Sequence, residues 1–113
     1  MVIPIFTAQL EKAREATDLA NIRAAYAECE SEVLANGSSK TVYKEVAITQ
    51  TKAGWSTDVE KVGGKEVSSF TYNSPTKNSG NGYVTVTSNG VFDFVSAQPT
   101  GENVINVDTL NND

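Results

Sequence analysis

Histidine is absent from this 113-residue chain, and cysteine occurs once, at position 29. A single thiol cannot form an internal disulfide. Without histidine, the common zinc sets and the usual nucleophile–base pairs have no residues to build on. Cys29 falls on an apolar helical stripe, which suits a small buried side chain better than a reactive one. No run approaches the roughly 20 apolar residues of a membrane span, and no signal peptide is evident. An excess of positive charge is missing too: nine Lys and Arg stand against 14 Asp and Glu, a net charge of −5. That balance argues against nucleic-acid binding and against simple adsorption to anionic lipid. No G-x-G-x-x-G precedes a helix and no carboxylate pair stands at a telling spacing, so we expect no enzyme and no cofactor.

Proline and glycine are both missing from Ile5 to Ala35. That stretch is dense in Ala, Leu, Glu, Lys and Arg, the residues that lose least on entering a helix. One helix over residues 1–36 would run more than 45 Å at the usual rise of about 1.5 Å per residue. Pro4, which lacks an N–H, suits its first turn. Asn36-Gly37 supplies the left-handed conformers that end a helix. Two apolar stripes share this helix. Ile3, Phe6, Leu10, Ala13 and Thr17 form one; Leu19, Ile22, Tyr26, Cys29 and Val33 form the other. At about 100° per residue they point to nearly opposite sides. The second should bury against the rest of the chain and leave the first free for another contact. The alternative is that the first folds back onto a loop. On the flank, Arg14 is spaced to pair with Glu11 and Asp18. Ala16, Ala20, Ala24 and Ala27 leave one side thin enough for another helix, or the sheet, to approach closely.

Beyond residue 40 the period changes to two. Thr41 to Thr51 puts Val42, Val46 and Ile48 on one side, with Lys44 and Gln50, and Tyr43, Glu45, Ala47 and Thr49 on the other. A short helical turn at Lys44–Glu45 is the competing reading. Lys52-Ala53-Gly54 is a turn before Trp55, which reads either as a lid on the core edge or as a binding platform. Gly63-Gly64 is a break, and Glu66 to Tyr72 alternates like a strand. Residues 73–82 form a loop by composition. Its Lys77 and Asn78, with Trp55, are the candidate surface-binding residues.

Tyr83 to Val95 is a hairpin. A two-residue Asn89-Gly90 turn would place Asp93 among valines, where an unpaired carboxylate costs several kcal/mol. A three-residue Ser88-Asn89-Gly90 loop with a left-handed Gly90 and a G1 bulge instead pairs Val86 with Phe92 and Val84 with Phe94. Val104, Ile105 and Val107 form a short edge strand or a tether. Asp108 and the residues after it carry calcium-type oxygens at no ordered spacing and read as a frayed tail. The fold class is therefore α+β, one domain over 1–113. A long N-terminal helix packs on an antiparallel sheet of three to five strands in residues 37–113.

Ile3-Pro4-Ile5-Phe6, the run Lys12-Ala13-Arg14-Glu15-Ala16 and the run Ala20-Asn21-Ile22-Arg23-Ala24-Ala25 also resemble type IV pilins. They match the segment after the membrane-spanning half-helix, and the likeness covers about the first third of the chain. It implies an upstream peptidase site, an acidic residue and an apolar half-helix. Met1-Val2-Ile3 then reads as a start placed just beyond a removed anchor. Many Gram-negative pilins carry a disulfide loop near the C-terminus. Its absence makes this chain more similar to Gram-positive ones.

The resemblance further implies a structural filament subunit at the cell surface, anchored in the membrane before assembly. It would serve adhesion or twitching motility, with prepilin peptidase and the assembly machinery as partners. Subunits would meet through Ile3, Ile5, Phe6, Leu10, Ala13 and Arg14. A monomer is expected in dilute solution. A pseudopilin of a secretion or competence system and a surface adhesin are the alternatives.

Overall fold

The computed structural model describes residues 4–36, 40–50, 55, 61–72 and 81–110, with the side chains of 4–9, 36 and 110 outside the description. Helix α1 spans Pro4–Asn36, beginning at the proline and ending at the Asn-Gly pair. The strands are β1 (Thr41–Val46), β2 (Lys61–Val62), β3 (Lys65–Glu66), β4 (Gly82–Val86), β5 (Phe92–Val95) and β6 (Val104–Asn106), followed by the short helix α2 (Val107–Leu110). The main sheet has the order β5-β4-β1-β6, and β2 and β3 form a separate two-stranded ribbon. The architecture is α+β, a long N-terminal helix laid on a mostly antiparallel sheet.

Helix α1 lies over β1 and β4. Leu19, Ile22, Ala25, Cys29 and Val33 are buried against Val42, Val84, Val86, Phe92 and Phe94, and Tyr26 is half-buried at the margin. Burying one such aliphatic side chain stabilises the fold by about 1.5–3 kcal/mol. Aromatic rings close the rest of the core. Phe70 meets Phe92 and Phe94 edge-on at 5.6 and 5.8 Å, and Tyr72 stacks on Phe94 at 5.2 Å.

The β4–β5 hairpin has the register that burial requires. Val84 faces Phe94, Val86 faces Phe92, and Thr85 faces Asp93 on the other side. Gly90, at φ +83°, donates its N–H to the Thr87 carbonyl at 2.8 Å, and Thr87 donates to the Val91 carbonyl at 3.0 Å. This is the three-residue loop with its bulge, and the left-handed position is one that glycine fills without strain.

Four expectations need correction. The alternation from Glu66 to Tyr72 is not a ladder strand: Val67–Ser69 is a 3-10 turn, so Val67, Phe70 and Tyr72 are all buried. The Tyr72 N–H bonds the β5 backbone at the Phe94 carbonyl (2.7 Å), and the Asp93 side chain accepts the N–H and hydroxyl of Thr71. The segment thereby shields the β5 edge.

The sheet is also not wholly antiparallel, because β6 runs parallel to β1. β5 already runs parallel to β1 and ends on the far side, so the eight residues 96–103 must cross the outer face and come back. Their reach of about 26 Å covers three strand gaps of about 4.8 Å each plus the return along the strand. Gln98 marks the route by donating to the Tyr43 hydroxyl at 3.0 Å.

Asp108 is not part of a frayed tail. It lies in the first turn of α2 and accepts from Lys44 at 2.5 Å.

Asp18, finally, is not on the exposed flank with Arg14. It is 0% exposed and points at the chain leaving β1. The ladder of β1 stops at Val46, yet the alternation continues, with Ile48 and Gln50 buried. The Asp18 carboxylate accepts the Thr49 N–H (2.9 and 3.2 Å), the Thr49 hydroxyl (2.8 Å) and the Gln50 N–H (3.1 Å). A buried carboxylate is tolerated only when its oxygens are bonded, and these charge-assisted bonds are the stronger kind. Asp18→Ala would leave backbone donors without an acceptor, and urea unfolding should show a loss of about 2–4 kcal/mol. Asp18→Asn, which keeps one acceptor oxygen, should lose less.

Candidate subunit interface

One face of α1 has no partner among the described residues. Leu10 is 48% exposed, and Ala13, Ala16, Thr17, Ala20, Ala24 and Ala27 are exposed after it. Leu34, 74% exposed, closes the row near the helix end. The thin side therefore points away from the sheet and remains open to another helix. Leu10 and Ala13 stay outside the core. Arg14 is half-buried, its guanidinium 3.5 Å from the Glu11 carboxylate. The side chains of Ile5 and Phe6 lie outside the described set, as do Ile3, Lys77 and Asn78 altogether.

Trp55 is a lid. Its ring meets Phe70 at 5.9 Å and Phe94 at 6.5 Å, both edge-on, and its indole N–H reaches the Tyr72 carbonyl at 3.4 Å. Trp55 is thereby half-buried against the core.

A second feature lies on the acidic flank of the helix. A groove of about 390 Å³ runs between α1 and α2, lined by Ala27, Glu28, Ser31, Glu32, Ala35 and Val107. Lys44 rises from β1 at its margin, 3.6 Å from Glu28 and 2.5 Å from Asp108. The hydrogen bond to Asp108 holds the Lys44 ammonium above its ordinary pKa. Close by in sequence, burial and the neighbouring Glu28 charge push the Cys29 thiol from 9.0 up to about 12. Among the described residues, no three acidic or cysteine side chains converge closely enough to hold a metal ion, and no helix is long and apolar enough to cross a membrane. Sequence reading missed this groove because α2 was expected as a tail, and the Lys44–Asp108 pair joins residues 64 apart.

Compared with protein-family models, curated proteins and solved structures, the chain matches none.

Two measurements follow from this geometry. Ile22→Ala, at a fully buried position, should cost about 2–5 kcal/mol in denaturant unfolding, whereas Leu10→Ala should stay within about 1 kcal/mol. Cys29 should resist thiol reagents in the folded chain and react on unfolding. The unfolded thiol ionises above about 9 and the folded one only near 12. Cys29 therefore makes its full contribution to stability below pH 9, and loses it as pH climbs from 9 towards 12. Cys29→Ala should flatten that part of the alkaline fall in a pH series of melting curves.

Proposed function

We propose that the chain is the globular and half-helical part of a type IV pilin subunit, a structural protein that polymerises through α1 into a surface filament. The observation that supports this reading is the division of α1 between a buried row and an exposed one. Its later turns are consumed by the sheet, and its earlier turns present Leu10 and Ala13 outward, in line with a row of exposed alanines. An apolar outer stripe adds nothing to the packing of the helix on its own sheet. Apolar area removed from water favours association by about 25 cal/mol per Å² before entropic costs. A side-by-side contact repeated by one operation builds an open polymer when each step also advances along the axis, so that no ring closes.

In this reading an upstream apolar half-helix anchors the precursor and then supplies most of the polymer contact. Leu10, Ala13 and Arg14 continue that contact, together with Ile3, Ile5 and Phe6. The role is structural, at the cell surface, with no catalytic step assigned to any residue. Prepilin peptidase and the assembly machinery are the implied partners.

The test is assembly of the chain joined to its natural upstream sequence in cells carrying the assembly machinery. Sheared surface filaments should contain the protein. Leu10→Asp should lower the filament yield at least about tenfold, while the purified soluble chain keeps its melting temperature. Recovery of the precursor only as an unpolymerised protein, with the machinery assembling a control pilin, would overturn the reading.

A further inference from the structure

Two charged features lie on opposite flanks of α1. On one flank Lys12 is exposed. On the other is the groove between α1 and α2, with an alanine and valine floor and Glu28 and Glu32 along its wall. Asp108 adds a third carboxylate beside it, and Lys44 is the ammonium set against them. Glu28 and Asp108 thus outnumber the one ammonium they share.

We propose that the groove receives the Lys12 side chain of a second copy of this chain. The stem of a lysine suits an apolar floor and its head suits a carboxylate wall. The placement of the two features decides what kind of contact results. Glu28 comes 16 residues after Lys12, which is about 24 Å further along the axis and about 160° around it. Glu32, 20 residues on, is about 200° around, so both carboxylates face directly away from Lys12. One copy cannot satisfy its own groove, and two copies cannot satisfy each other's by a two-fold rotation about this contact. With its helix parallel to the first, the second copy lies alongside, displaced by about 24 Å along the axis, and a third follows in the same way. The inference rests on the filament reading and adds to it a lateral register set by charge.

The experiment uses amide NMR of the chain, taken from about 10 μM to about 2 mM at low ionic strength. Resonances around Lys12 and around Glu28 to Glu32 should shift together with concentration, and about 0.3 M salt should reverse the shifts. Lys12→Glu and Glu28→Lys should each weaken association at least tenfold, by placing like charges together. The double variant, whose net charge equals that of the parent, should restore it. Glu32→Lys gives a second probe that leaves the Lys44–Glu28 pair in place, and melting curves check that each variant is folded. If shifts fall on Leu10, Ala20 and Ala24 and ignore the charge variants, the groove contact is wrong and the filament reading stands. If the parent shows no concentration dependence, the groove is not a self-contact. The filament reading then depends on the assembly of the anchored precursor alone.

Discussion

A helix of 33 residues is longer than the sheet beneath it is deep. At about 1.5 Å per residue α1 runs close to 50 Å, while strands of four to six residues cover about 13–20 Å. A sheet of that size can bury about half of such a helix at most. The inner row is accordingly apolar only from Leu19 onward. Earlier along the same side stand the buried Asp18 and Glu15 and the half-buried Glu11. The apolar residues of the early turns are displaced to the opposite side, where Leu10 and Ala13 meet solvent.

Asp18 sits where the sheet stops supporting the helix. Beyond Val46 the chain leaves the ladder, and its next N–H groups would have no strand to pair with. The carboxylate supplies the missing acceptors, so the helix caps the sheet where no further strand is available. This is a polar join inside an otherwise apolar seam, and it defines the register between α1 and β1 more sharply than valine packing would, because its bonds tolerate little displacement. At the other end, Lys44 does similar work from the surface. It ties α2 and the short parallel strand β6 to the sheet and leaves the acidic groove beside it.

The functional reading and the lateral register both derive from this mismatch of lengths. A helix with spare length and an apolar outer row is suited to neighbours of its own kind. Flanks of opposite charge, spaced along the axis and facing away from one another, are suited to a staggered row of copies. Neither argument needs a catalytic or ligand site.

Local chemistry in the sequence determined the helix and its ends, the opposite placement of its two apolar rows, and the exact pairing of the β4–β5 hairpin. In each case neighbours within a few residues settle the matter: proline and Asn-Gly at the termini, a 3.6-residue rhythm, and one aspartate that burial forbids among valines. Only the tertiary structure decided the role of Asp18, whose partners lie about thirty residues away, and the turn at Val67, where packing beneath Phe92 and Phe94 overrides a two-residue rhythm. It also decided the parallel course of β6, because the return path depends on which edge of the sheet is free. The groove belongs with these, since it exists only where α2, brought back by that crossing, comes to rest against the helix.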